Sequence, residues 1–259
     1  MSTWAFRKQF FYGALFILIA GGILALLLIP FFQREPSCSD GRKNGDEVGV
    51  DCGGSCLLYC REEVSDPVVL WSRSFEAAPG VFNSVAYIEN QNRLASIESV
   101  SYLFRLYDES NVLLGERTGT TFIGSKGRMV IFEQGISTGT RIPARTTFEF
   151  TSPFEWKQIG ESADIVLRVS NTSFTRATGN PRISSTISNP SLFIVPNIEV
   201  GVILYGSDGN AFATSRTVIP ELAPGGQKQV FFSWPQGLEK EYSRIEILPE
   251  YDPYQIRLR

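Results

Sequence analysis

Two hydrophobic textures divide the chain. Between Gln9 and Gln33 no charged residue occurs, and the run FFYGALFILIAGGILALLLIPFF leaves no polar face on a helix. About 20 apolar residues in a helix cross a hydrocarbon core. A backbone in lipid must satisfy its own hydrogen bonds, so a transmembrane helix is expected over 9–33. Trp4, Phe10, Phe11 and Tyr12 sit where one aromatic belt would lie, Phe31 and Phe32 where the other would, and Pro30 closes the far end. Beyond residue 66 the texture becomes short runs of β-branched and aromatic residues broken by Gly, Pro, Asn and Ser, which reads as strands. The runs cover 69–75, 84–90, 99–108, 111–123, 128–134, 146–152 and 164–170, then 182–189, 198–206, 211–219, 227–234 and 244–250. No window there carries the period of an amphipathic helix.

The strand pattern repeats. SFEAAPGVFNSVAYIEN (74–90) aligns with SFTRATGNPRISSTISN (173–189) at an offset of 99, matching Phe75 with Phe174, Ile88 with Ile187 and Asn90 with Asn189. FRLYDESNVLL (104–114) aligns with VILYGSDGNAF (202–212) at an offset of 98. RIPARTTFEF (141–150) matches ELAPGGQKQVFF (221–232) in kind, a Pro/Gly turn leading into an aromatic strand. That match leaves an extra hairpin near 119–137 in the first half. The expected organisation is a cytoplasmic tail (1–8), a transmembrane helix (9–33), a cysteine-rich stalk (34–65) and two β-sandwiches (66–170 and 171–259). The junction near Asn171 is very short, which favours a stiff rod.

Orientation follows from charge. Arg7 and Lys8 precede the span, and all 27 acids lie beyond residue 33. The positive-inside rule puts the N-terminus in the cytoplasm and the rest outside. A cleaved signal peptide fits less well, because the apolar run is too long and no small-x-small site follows it.

The four cysteines, Cys38, Cys52, Cys56 and Cys60, fall in one short polar segment that cannot build a core alone. Such segments need disulfides or metal. An even count outside the cytoplasm fits two bridges, in any of three connectivities. Four zinc thiolates would prefer close CxxC pairs, and a redox site a CxxC in a thioredoxin-like context; neither is present. Asp40, Asn44, Asp46, Glu47 and Asp51 form a candidate set of hard oxygen ligands for calcium, although their spacing is not that of an EF-hand. Read as turn residues, the same acids need no ion.

Cys38, Asp40, Gly41, Asn44, Gly45, Glu47, Val50, Asp51, Cys52, Gly53, Gly54, Cys56 and Cys60 resemble a short cysteine-rich module of secreted and surface proteins of bacteria and archaea. The chain departs from that pattern at Leu57-Leu58-Tyr59, three residues where two are expected before the last cysteine, which puts the last bridge in question. The resemblance implies an extracellular spacer and no reaction. Phe104, Leu106, Tyr107 and Asp108 resemble the F-x-L-Y-D motif of small immunoglobulin-like surface modules; the second copy, Val202, Leu204, Tyr205 and Gly206, lacks the Phe and the Asp. The fold class this implies is mainly β, with an N-terminal transmembrane helix, a small disulfide-rich module and two tandem antiparallel immunoglobulin-like β-sandwiches. Tyr107, Tyr205, Trp71, Trp156 and Trp234 read first as packing residues.

Composition narrows the chemistry. The chain has no histidine, which removes Ser–His–Asp and Cys–His mechanisms and histidine metal sites. A net charge of −3 argues against nucleic acid. No phosphate-binding glycine loop or nucleophile elbow stands in a strand–helix context. Glu149 and Glu155 are the candidate carboxylates for a hydrolase, and Asn171-Thr172-Ser173 is a glycosylation triplet. The expectation is a non-enzymatic, single-pass protein with no cofactor unless calcium binds. It meets the lipid bilayer through its helix and a protein or glycan partner through its β-surface. The alternatives are an accessory subunit of a secretion, pilus or respiratory assembly, and a carboxylate hydrolase.

Overall fold

The structure is a computed structural model that describes residues 3–32, 36–125, 127–160, 164–175, 180–234, 237–238 and 240–258. Helix α1 spans Thr3–Phe32. Its stretch Phe6–Leu28 is long and apolar enough to cross a membrane, and among the described residues nothing buries it.

Among the described residues fourteen strands follow the cysteine segment. The first seven are β1 (Val68–Ala78), β2 (Val81–Asn90), β3 (Ala95–Tyr107), β4 (Leu113–Ile123), β5 (Gly127–Ser137), β6 (Arg145–Phe150) and β7 (Trp156–Gln158). The second seven are β8 (Arg168–Thr175), β9 (Arg182–Ser188), β10 (Phe193–Tyr205), β11 (Ala211–Leu222), β12 (Gln227–Ser233), β13 (Arg244–Glu250) and β14 (Arg257–Leu258). Sheet β1-β2-β5 faces sheet β4-β3-β6, and β7 continues the line of β6 along β3. Sheet β8-β9-β12 faces sheet β11-β10-β13, and β14 continues the line of β13 along β10. All pairings are antiparallel. Strand for strand, the second arrangement repeats the first.

The repeat extends to local detail. The β3–β4 ladder is irregular at Leu106/Tyr107 and the β10–β11 ladder at Leu204/Tyr205. In the turns that follow, Asp108 N–H bonds the Val112 carbonyl at 3.1 Å and Gly206 N–H the Asn210 carbonyl at 3.0 Å. Asn111 (φ +59°) and Gly209 (φ +75°) occupy the same left-handed position, which favours those two residue types. Arg145 lies over the Tyr107 ring at 4.3 Å and Arg244 over the Tyr205 ring at 3.7 Å. Both tyrosines thus carry a cation–π contact, and Tyr205 is also packed in a buried cluster.

Three expectations change. The β4–β5 hairpin is the counterpart of β11–β12, so 119–137 is no extra hairpin. Met129 and Ile131 of β5 fill the first core as Val230 and Phe232 of β12 fill the second. The true partner of β6 (145–150) is β13 (244–250), and the match of 141–150 to 221–232 fails because a Pro/Gly turn before an aromatic strand does not mark register. The segment 164–170, read as the last strand of the first sandwich, instead leads into β8. That strand pairs with β9, and Ile165 and Leu167 belong to the second core. The boundary expected at 170/171 therefore cuts a strand. Alternation shows that a strand exists but not which sheet it joins.

The third change concerns shape. Sheet β1-β2-β5 packs face to face on sheet β11-β10-β13, so the halves lie side by side in four stacked layers and form no end-to-end rod. Val85, Tyr87, Val130 and Phe132 from the first half and Ile203, Tyr205 and Ala211 from the second make one buried cluster. On the opposite faces of the same strands, Ala86, Ile88 and Ile131 fill the first core and Val200, Val202 and Leu204 the second. These inner strands bury both faces, so SVAYI and VGVILY read as continuous apolar runs without alternation.

Candidate functional site

The cysteine segment is closed by two interleaved bridges, Cys38–Cys56 and Cys52–Cys60. Among the described residues no cysteine is free. The acids of the candidate calcium set serve as clamps on the loop. Asp51 accepts the N–H groups of Asp40 (3.0 Å) and Gly41 (2.9 Å). Asp40 accepts the Arg42 N–H and the Asn44 side-chain amide, at 2.9 and 2.7 Å. Glu47 accepts the Asn44 N–H at 3.0 Å, and Asp46 accepts the Ser55 hydroxyl at 2.7 Å. Asp40 thus closes an Asx turn, and the other three carboxylates tie the loop to more distant positions of the same module. Among the described residues, the potential metal-ligand atoms that converge are those of Cys38, Glu47 and Cys56. Both of these sulfurs are tied in one disulfide and offer no thiolate.

The departure from the module pattern, Leu57-Leu58-Tyr59, joins the module to the body. Leu58 forms a β-bridge with Lys157. Tyr59 N–H donates to the Trp156 carbonyl at 2.9 Å, and Gln158 N–H donates to the Leu57 carbonyl at 2.7 Å. Leu57–Tyr59 is therefore an added strand on the outer edge of β7. Tyr59 and Val64 pack against the first core, and burial, with Glu63 nearby, raises the Tyr59 phenol above its ordinary value. Asn92 adds a second tie, accepting the Ser65 N–H at 2.8 Å and donating to the Ser65 carbonyl at 2.7 Å. The cysteine-rich module, read from the sequence as a stalk, is docked against the first half.

The seam between the halves has an apolar centre and a polar rim. Gly201 lets the sheets approach closely, since a Cβ there would lie 2.5 Å from a Val130 methyl. Tyr87 and Tyr205, one from each half, donate to the two oxygens of Glu246 at 2.6 and 2.8 Å. Burial first, and the Glu246 carboxylate second, push both phenols up, Tyr205 to about 12. Arg73 donates to the Ala211 carbonyl at 3.0 Å and to the Asn210 side-chain oxygen at 2.9 Å. Val130 N–H donates across the seam to Glu250 at 2.6 Å. Burial drives the Glu250 carboxyl well above the usual carboxylate range.

A cleft of about 220 Å³ opens at one end of this seam, lined by Arg128, Met129, Asp164, Glu250 and Tyr251 among others. Its polar groups are engaged: Ser125 donates to Asp164 at 2.7 Å, Arg128 to Glu89 at 3.1 Å, and Tyr251 both accepts from and donates to the Ile165 backbone. Glu149 lies on β6 in an ion pair with Arg105 at 2.7 Å, and Glu155 is exposed before β7. Neither lines this cleft. Asn171 sits exposed in a left-handed conformation (φ +52°) at an irregularity of edge strand β8. Arg7 and Lys8 lie in the first turns of α1, Lys8 over the Trp4 ring at 4.1 Å.

Sequence reasoning missed the added strand at 57–59 and the seam. Unalternating inner strands were the available sign of the seam. The cap left a sign in the extra residue before Cys60.

No protein-family model matches the chain, and no curated protein matches it. A crystal structure of red sea bream transglutaminase is similar over 72% of this chain and 29% of that chain, at 11% identity and a TM-score of 0.23. At that score the likeness carries no argument. The chain spans less than a third of the length of that structure.

Proposed function

We propose that this protein is a membrane-anchored, extracytoplasmic binding or structural protein without covalent chemistry. In this reading α1 holds it in the bilayer with Arg7 and Lys8 on the cytoplasmic side, and the disulfide-capped pair of immunoglobulin-like sandwiches faces outward. The observation that carries the reading is the adjacency of the apolar helix to two interleaved disulfides. The helix ends at Phe32 and the first bridged cysteine is Cys38. Disulfides persist outside the reducing cytoplasm, and a helix apolar on every face needs an apolar solvent. The positive charge before the span sets the direction. A binding role is supported by what the body offers: a four-layer β-surface, several of whose carboxylates, among them Glu149, Glu199, Glu246 and Glu250, are held in ion pairs and at the seam.

The test is made on intact cells or spheroplasts. External protease should remove the epitopes beyond residue 36 and leave the N-terminal tail, and thiol reagents without reductant should modify none of the four cysteines. A proximity crosslink from the β-body should then return a reproducible set of envelope proteins or glycans. Full protection from protease, or free thiols, would overturn the topology. Crosslinking to nothing above background would remove the binding role.

A further inference from the structure

The seam opens at both ends, and the polar groups at the two ends differ in what they do. In the cleft beside Asp164 and Tyr251 they are engaged with one another or with backbone. A groove of about 480 Å³ opens at the other end, where β1 and β5 run out away from the cysteine module. Phe75, Asn83 and Gln134 of the first half line it on one side. Phe212, Thr214, Ser215 and Trp234 of the second half line it on the other. Thr214 pairs with Ile203, a member of the seam cluster, and paired residues share a face, so the Thr214 side chain is directed at the first half. The size falls within the roughly 300–1,000 Å³ of small-ligand sites.

The polar groups of this groove are unspent. Thr214 is 6% exposed, and its hydroxyl has no hydrogen-bond partner among the described residues. A buried hydroxyl without a partner is costly, and it calls for a partner from outside the chain. Among the described residues the Gln134 amide and the Ser215 hydroxyl also make no hydrogen bond. Asn83 uses its side-chain oxygen on the Gly135 N–H at 3.1 Å, which leaves its two amide hydrogens. Arg216, the cation of the described lining, is paired with Glu199 at 2.8 Å, and Glu76 adds an exposed acid, so an anion finds no free counter-charge. Trp234 Nε1–H donates to the Thr214 carbonyl at 3.1 Å and closes that part of the β11 edge to an added strand. What remains is a set of neutral donors and acceptors beside aromatic rings. Such a surface suits a neutral ligand with many hydroxyls, each both donor and acceptor, and with C–H faces that lie on rings.

We propose that this groove is a binding site for a short neutral oligosaccharide. Asn83, Gln134, Thr214 and Ser215 hydrogen-bond its hydroxyls, and Phe75, Phe212 and Trp234 take its apolar faces. In this role, which rests on the reading of the β-body as a binding element, the site faces away from the module that follows the membrane anchor.

The test applies the full chain in nanodiscs to an array of neutral and anionic oligosaccharides, with empty nanodiscs as control. Neutral oligosaccharides should be retained, and titration of the best-retained one should give a Kd below about 1 mM. Gln134→Ala and Thr214→Val should each weaken binding at least about threefold, the loss expected for one net hydrogen bond. Thr214→Val removes an unpartnered hydroxyl from a side chain of nearly the same shape, so it should melt no lower than the parent. Gln134 is exposed, and its truncation carries the test if Thr214→Val disturbs the fold. A blank array, retention of anionic glycans alone, or neutral binding that the folded variants leave unchanged overturns the proposal. A blank array with crosslinked partners still found excludes the groove and leaves the binding role standing. Neutral binding weakened by these variants, with no crosslinked partner, keeps the groove and removes the broader role.

Discussion

Asn90 and Asn189 are the same residue in two copies of one fold. Asn90 ends β2, is buried, and donates its side-chain amide to the carbonyls of Ala95 (2.9 Å) and Gly124 (2.6 Å) while accepting the Asn92 N–H. Asn189 follows β9, is buried, and donates to the carbonyls of Phe193 (2.7 Å) and Leu222 (3.1 Å) while accepting the Ser191 N–H. Each ties the loop between two strands of opposite sheets to the next hairpin. Removing the amide leaves buried carbonyls unpaired, at about 1–3 kcal/mol each. Asn90→Ala and Asn189→Ala should each lower stability by about that amount in urea melts. A large loss in one and none in the other would break the equivalence.

The seam depends on the bare backbone of Gly201. Gly201→Val places methyl groups where Val130 already sits, and overpacking of this kind costs about 1–3 kcal/mol. Limited proteolysis should cut between the halves faster in this variant. Val130→Ala should recover part of the loss, and a strictly additive double mutant would contradict the contact.

Glu250 gives the seam a pH dependence of known sign. Its carboxyl is raised above the ordinary 4.5 by burial, against the lowering effects of the Val130 N–H and Arg216, with Glu199 adding repulsion. The uncharged form therefore favours the docked state. Its contribution is complete below the unfolded value and is lost as pH rises from about 4.5 through the folded value. Glu250→Gln should melt like the parent near pH 4 and above it at pH 8. A difference of roughly 1 kcal/mol corresponds to about 2–4 °C in a chain of this size. A constant offset across that range would refute the assignment.

The interleaved bridges should hold the added strand in place. The Cys52–Cys60 bridge closes the loop from which Leu57–Tyr59 projects, and loop-closing bridges contribute about 2–4 kcal/mol. In the double variant Cys52→Ser/Cys60→Ser, the amides of Tyr59 and Gln158 should exchange faster while those of β9 and β10 stay protected. Unchanged exchange at Gln158 would show that the strand holds without the bridge.

Much of this architecture was legible in the order of residues. The uncharged run before Gln33 defines α1 because helix formation in an apolar solvent is a local matter of length and composition. The cysteine spacing marks a bridged module, and the offset near 99 reveals a duplication that the ladders reproduce from Phe75/Phe174 to Tyr107/Tyr205. Where the reading failed, it failed on assignment. Residues 164–170 alternate as a strand should, but Ile165 and Leu167 turn toward the second core. The acids at 40–51 read equally as ligands or as turn clamps, and the structure adds the donors that each of them accepts within the loop.

By itself the sequence determined the elements, their repetition and the confinement of cysteine to one segment, because propensity, periodicity and covalent spacing are local properties. Only the tertiary structure decided that the bridges interleave as Cys38–Cys56 and Cys52–Cys60, that Leu57–Tyr59 caps β7, and that the two halves stack through Tyr87, Glu246 and Tyr205. Those outcomes rest on contacts between residues far apart in the chain. Which sheet a strand joins, and which face it buries, is fixed by the surface it meets there and by no property of the strand alone.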